Sequence, residues 1–174
     1  MIDYRIVSLE GYDSKIGELV SMLEHTRAVT LEELDGLSIE ELDYVPDHHG
    51  NSIGALLVHI AAIEFVHRVI SFDKRDLSPS EWEEWKAALQ LGEEARSIIK
   101  GQPLSYHLDI LSSVRQETLK SLQSKEDNWL KEEAKWDNGT SYNNHYLWFH
   151  VMEDEMNHRG QIRSVKRQLA EVRL

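Results

Sequence analysis

The sequence predicts an all-α protein: a four-helix bundle with a long crossover, carrying short helices, between helices two and three. Apolar residues recur at spacings of three and four in four long segments, as on amphipathic helices. No segment alternates like a strand, except residues 4–9. The three prolines all lie between the periodic segments, where they do not interrupt a helix. Four long amphipathic helices without strands indicate a bundle.

The first helix is predicted over residues 14–34. Asp35 and Gly36 follow it, and glycine is common just beyond the last helical turn. Ser38 and Glu41 then have the spacing of a capping box, which predicts a short helical turn.

The second long helix is predicted to begin at a cap on Asn51 or Ser52 and to end near residue 72. A histidine, His59, occupies a position on its inward face where a leucine would be expected. The inward positions follow helical spacing: Leu56, His59, Ile63, Val66 and Ile70.

Residues 73–103 are predicted to form the crossover. The run that begins at Ser80 is typical of a capped short helix, and Gly92 and Gly101 interrupt the remainder of the segment. The third long helix is predicted over residues 104–123.

The fourth helix is predicted to start at an N-cap on Thr140 or Ser141 and to reach about residue 170. Asp154 and His158 lie four residues apart and project from one face of it. That face is otherwise apolar: Leu147, Val151, Ile162, Val165 and Leu169. A carboxylate on such a face needs a partner or a metal ion.

Composition narrows the function. The 174 residues predict one domain over residues 1–174, and the formal charge of −12 argues against nucleic-acid binding. Cysteine is absent, so any thiol must arrive with a substrate. The early charges argue against a signal peptide, and no run of 18 uninterrupted apolar residues indicates a membrane span. A cytoplasmic location is therefore expected.

His59, Asp154 and His158 are predicted to point into one bundle core and to hold a divalent metal ion. Two imidazoles and one carboxylate are typical of a catalytic zinc site, and they also suit iron(II) or nickel(II). Each of these residues also has a simpler interpretation that involves no metal ion. A histidine on an apolar stripe is more often a core residue bonded to a carbonyl, and an Asp-x-x-x-His pair is commonly a surface contact.

Other polar residues compete for roles near this site. His150, one turn before Asp154, is a candidate partner of the ligands, and Glu64 is a candidate for orienting one of them. For His150 the simpler interpretation is a partly exposed residue or one that contacts a ligand, and for Glu64 it is an exposed helical glutamate. His67 is predicted to turn aside. His48 and His49 lie in a predicted loop that could reach the bundle end, although a solvated loop is the simpler interpretation. Three arginines could contact an acidic cosubstrate: Arg68, Arg159 and Arg163.

The chain resembles the DinB/YfiT-like superfamily of metal-binding four-helix bundles. The resemblance covers most of the sequence, and the closing motif His158-Arg-Gly-Gln-Ile is similar to the one that carries the family's last metal ligand. Asp154 stands where most members have histidine, and where the branch of mycothiol-dependent maleylpyruvate isomerase has glutamate. The other matching segments are Met22–Arg27, Leu34–Leu37, Leu42–Pro46, Asn51–Gly54 and Leu57–Glu64.

The resemblance implies a low-molecular-weight-thiol S-transferase in which a divalent ion, zinc by first choice, activates a small-molecule thiol against an electrophile. It also implies a homodimer. Two alternatives remain open at this point: a metal-dependent hydrolase, and a non-catalytic, stress-linked metal-binding or dimerisation bundle.

Overall fold

The computed structural model describes residues 2–47 and 50–172. The described residues form four long α-helices and three short ones, with a two-stranded antiparallel sheet just before the last helix. The predicted all-α fold with a helical crossover is confirmed. The elements are α1 (Ser14–Glu32), α2 (Ile39–Asp43), α3 (Ile53–Arg68), α4 (Pro79–Gln90), α5 (Gly92–Ile98), α6 (Leu104–Leu122), β1 (Glu133–Lys135), β2 (Ser141–Asn143) and α7 (Asn144–Val172).

The bundle consists of α1, α3, α6 and α7. Helix α3 is central: it packs on both α6 and α7, while α1 packs on α7 and the crossover helix α4 covers the outside of α3. One apolar cluster joins α3, α6 and the second half of α7, and another joins α1 to the first half of α7. This arrangement buries most of α3, including His59, among the neighbouring helices.

Helix starts follow the capping signals. Ser52 caps α3 by accepting a hydrogen bond from the Ala55 amide, and Ser38 with Glu41 forms the predicted capping box of α2. The crossover helix α4 starts earlier than predicted. Its N-cap is Ser78 rather than Ser80, because Glu81 completes a capping box with Ser78.

The start of the fourth long helix was wrongly predicted. Thr140 and Ser141 are not its N-cap, since Ser141 opens strand β2, which pairs with β1, and α7 begins at Asn144. Trp136 and Tyr142 stack across this hairpin with ring centroids 4.0 Å apart, a cross-strand contact that short strands need. Residues 4–9 do not form a strand.

Helix α3 and the π-helical turn that continues it, Val69–Asp73, are apolar enough to raise the question of a membrane span. Together they cover Ile53–Asp73 with a mean hydropathy of 1.8 over the most apolar window, so length and composition alone would permit one. However, 72% of that window is buried inside the protein, as in the core helix of a soluble bundle.

Four buried charged side chains join the four long helices. Arg115 donates to Glu64 at 2.7 and 3.0 Å, and Arg27 donates to Glu64 at 2.9 Å and to Glu155 at 3.0 and 3.2 Å. Both guanidinium groups also bind backbone carbonyls, Arg115 on α1 and Arg27 on α6. Glu64 is fully buried and Glu155 nearly so, which is tolerable only because each carboxylate is ion-paired and hydrogen-bonded.

The network should make stability depend on pH at the acidic end. Burial by itself would raise the pKa of Glu64, but Arg115 and Arg27 outweigh it and lower the pKa from 4.5 to about 2. A carboxyl whose pKa is depressed on folding adds stability above its unfolded pKa and loses it as pH falls through the folded pKa. We therefore expect urea midpoints to fall between about pH 4.5 and pH 2, and to fall less in Glu64→Gln. An equally steep fall in that variant would contradict the assignment.

Candidate metal centre

The structure brings His59, Asp154 and His158 together on the facing sides of α3 and α7. Asp154 Oδ1 lies 3.4 Å from His158 Nε2 and 3.7 Å from His59 Nε2. The two imidazole rings meet edge to face with centroids 4.6 Å apart. One ligand atom from each residue lies within 4.8 Å of the other two, so this group could hold a metal ion.

The ring of His59 is held in an orientation that suits a ligand. Its Nδ1 lies 2.8 Å from the backbone carbonyl of Ala88 on α4, and only a protonated Nδ1 can donate to that oxygen. The neutral ring then carries its lone pair on Nε2, the nitrogen that faces Asp154. Metal-binding histidines commonly use a backbone carbonyl in this way. Sequence reasoning missed the role of Ala88, because a main-chain contact leaves no signal in residue types.

The donor atoms fit a divalent ion. Two atoms that each lie about 2.1 Å from one ion can be at most about 4.2 Å apart, which the Asp154 distances already satisfy. Asp154 Oδ2 and His158 Nδ1 are buried without a hydrogen-bond partner, and buried polar atoms of this kind call for an ion, a water or a ligand. The residues present therefore suit a metal centre.

Asp154 is ready to act as an anionic ligand. Burial opposes its charged form, but His158 and then His59, when their rings carry the additional proton that a metal ion would displace, outweigh that effect and lower the pKa of Asp154 well below its ordinary value. The carboxylate is thus ionised at neutral pH. Together with two neutral imidazoles it would leave a divalent ion with a net positive charge.

The weaker histidine candidates lie along the same pair of helices. His150 is half-exposed, and its Nδ1 lies 3.0 Å from Glu153 on the same helix. His67, predicted to turn aside, is instead buried next to it, with ring centroids 5.3 Å apart and Nδ1 held 2.7 Å from the carbonyl of Ile63. Burial lowers the pKa of His67. Because His59 meets His158 and His67 meets His150, α3 and α7 run antiparallel here.

Glu64 has neither of the two positions that were predicted for it from the sequence. It contacts Arg27 and Arg115 in the buried network rather than orienting a metal ligand, so neither that role nor the exposed position was right. Sequence reasoning also missed Glu155, the neighbour of Asp154, which is turned about 100° from it around α7 and points into the bundle. Its sequence signal was its helical spacing from the buried Val151, Met152 and Ile162.

The three arginines considered for a cosubstrate have other contacts. Arg163 pairs with Glu33 at 2.7 Å, and Arg159 donates to the Thr26 carbonyl at 3.1 Å. Arg68 lies over the ring of Phe65 at 5.3 Å. The predicted loop histidines, His48 and His49, lie outside the described residues.

Comparison with known proteins agrees with the fold and with the family. The family model described as mycothiol-S-transferase matches residues 18–171. A conserved protein from Enterococcus faecalis superposes with a TM-score of 0.67 at 17% identity, covering 88% of this chain and 95% of that one. A structural-genomics protein from Streptococcus pneumoniae gives 0.66 at 18% identity, covering 87% and 90%. These structural similarities are evidence for the fold alone. No curated protein matches the chain significantly.

Proposed function

Because the chain belongs to the mycothiol-S-transferase family, we propose that it is a divalent-metal-dependent enzyme that joins a low-molecular-weight thiol to an electrophile. The observation that carries the proposal is the convergence of His59, Asp154 and His158 from two helices. Two further buried atoms of this group, Asp154 Oδ2 and His158 Nδ1, have no hydrogen-bond partner in the protein. Ligands from facing helices are how bundles build metal sites.

Each of the three side chains has a distinct part in the proposed site. His59 offers Nε2 in an orientation set by the Ala88 carbonyl, and His158 offers Nε2 from the facing helix. Asp154 supplies the negative charge that anchors a cation between them. A bound divalent ion would lower the pKa of a thiol and so provide a thiolate near neutral pH.

In the transfer, the thiol loses its proton to solvent and its sulfur forms a bond to the electrophilic carbon. The leaving group departs with the electron pair of the bond that breaks. The chain supplies no cysteine, so the reacting sulfur must come from the cosubstrate. The protein's own task is to hold the two reactants together.

Several properties complete the proposal. We propose Zn²⁺ as the ion, a single domain over residues 1–174, and a homodimer in the cytoplasm that binds neither nucleic acid nor membrane. The charge of −12 supports the absence of nucleic-acid binding, and thiol chemistry suits a reducing compartment.

The proposal is tested by assaying protein loaded with Zn²⁺, Ni²⁺ or Fe²⁺ against two panels. One panel pairs mycothiol or N-acetylcysteine with 1-chloro-2,4-dinitrobenzene, and the other contains p-nitrophenyl esters and anilides. We expect turnover only when both the thiol and the ion are present, and loss of turnover on chelation. Thiol-independent ester cleavage would instead indicate a hydrolase, in which a bound water is the nucleophile. Protein without stoichiometric metal and without turnover would indicate a non-catalytic bundle.

A further inference from the structure

An apolar groove lies between α3 and α4, the two helices that position His59, although none of the three metal-site residues lines it. Its volume is about 420 Å³, within the usual range for small-molecule sites. Trp82 stands at its edge with 40% of its surface exposed, although a large aromatic side chain is normally buried. The lining residues are Val66, Ile70, Asp76, Leu77, Trp82 and Leu89.

The groove continues the face of α3 that carries His59. Val66 lies seven residues beyond His59, within about 20° of the same direction on a helix. Ile70 follows in the π-helical turn, a type of segment that occurs frequently at functional sites. Both are only half-buried, whereas Ile60 and Glu64 on the bundle-facing side of α3 are buried. The floor of the groove thus lies on the same side of α3 as His59, about two helical turns further along.

The wall of the groove is also shared with the metal centre. Leu89 directly follows Ala88, whose carbonyl holds the ring of His59 at 2.8 Å. Helix α4 itself is fixed to α3 by the stacking of Trp85 on Phe65, with centroids 5.0 Å apart. A molecule in this groove would therefore sit against the same two helices that position His59.

The chemistry of the lining selects against anions. Asp76 is the one ionisable side chain among the described residues that line the groove, and its charge repels carboxylates. The net charge of the chain, −12, acts in the same direction. Aliphatic side chains and one indole ring instead favour an uncharged, apolar occupant.

We propose that this groove binds the apolar body of the electrophilic cosubstrate, and so makes the enzyme selective for uncharged alkyl or aryl electrophiles. The proposal rests on the S-transferase function and names the substrate class of the same site. The electrophile's reactive carbon lies towards His59, and its apolar remainder extends over Val66 towards Trp82.

The test measures binding rather than turnover. Two unreactive thioethers, S-hexyl- and S-methyl-N-acetylcysteine, are titrated calorimetrically into the Zn²⁺-loaded protein. The two compounds have the same head group, so any difference between their affinities is due to the alkyl chain. We expect the hexyl compound to bind at least about tenfold more tightly, because burial of each methylene group is favourable. Equal affinities would overturn the proposal.

Two substitutions locate the binding. Val66→Phe narrows the groove and should lower the affinity for the hexyl compound about tenfold. The affinity for the methyl compound should not change, since only the longer alkyl chain enters the groove. The matched control is Ile98→Phe, at an apolar position 62% exposed and outside the groove, which should change neither. A hexyl preference that survives Val66→Phe in a folded, metal-loaded variant would place the binding elsewhere and overturn the proposal.

A spectroscopic measurement tests the same point without altering the groove floor. The hexyl compound should change the tryptophan emission of the parent protein, and Trp82→Phe should remove that change. If the hexyl compound changes the emission of Trp82→Phe as it does in the parent protein, binding in the groove is contradicted. Failure of the proposed function gives a different result: no thiol-dependent turnover in any panel, with the hexyl preference and its loss in Val66→Phe intact.

Discussion

Replacing His59 or His158 by alanine is expected to weaken divalent-metal binding by more than about 100-fold. Even residues that only support metal ligands typically contribute about 10–100-fold, and each of these histidines would supply a ligand atom itself. The bundle should stay folded, because neither side chain contributes to the apolar clusters that join the long helices. Elemental analysis and calorimetric zinc titration measure the first effect, and far-ultraviolet circular dichroism checks the second.

A matched control is available on the same helix as His158. His145 is exposed near the start of α7, and His145→Ala should leave metal content and affinity unchanged. Asp154→Asn keeps the shape of the side chain but removes its charge, and should also reduce affinity strongly, because a neutral amide is a poorer ligand for a divalent ion. Unchanged metal content in both histidine variants would rule out this centre.

Replacing Arg115 by methionine should lower the free energy of unfolding by about 3–5 kcal/mol. Breaking a buried ion pair by removing one partner leaves a buried charge without full compensation. Glu64 is fully buried and receives two of its three arginine hydrogen bonds from Arg115. Methionine keeps much of the length of the side chain, so the change is mainly electrostatic. Urea denaturation at pH 7 measures it.

Two further variants separate this effect from general damage to packing. Glu132→Gln removes one partner of the exposed pair with Lys74, 2.7 Å apart, and should change stability by no more than about 0.5 kcal/mol. Glu64→Gln combined with Arg115→Met should be less destabilised than the sum of the single changes, since the two residues interact directly. Additive effects would contradict a coupled network.

The helices could be predicted because their signals are local. The three-four spacing of apolar residues in α1, α3, α6 and α7 follows from the helical repeat, and Ser38 and Ser52 cap the helices that they precede. The hairpin of β1 and β2 was missed for the converse reason. Each strand has three residues, too few to show alternation, and their pairing is a tertiary contact that the stacking of Trp136 on Tyr142 accompanies.

The metal residues could be proposed because each broke the apolar pattern of its own helix. His59 stands in a stripe of aliphatic residues, and Asp154 with His158 interrupts another. Glu64 and Glu155 broke the pattern in the same way but belong to a different group, the one formed with Arg27 and Arg115. An unexpected polar residue on a helix indicates that it has a partner, but it does not identify that partner.

The sequence by itself determined the helical class of this protein, most helix boundaries, and the set of polar residues that need partners. These depend on interactions between residues within a few positions of each other. The tertiary structure alone decided how the polar residues are grouped. Arg27 meets Glu155 across 128 positions, and the Ala88 carbonyl reaches His59 across 29. Such pairings are set by the packing of whole helices, where burying a charge is favourable only next to its complement.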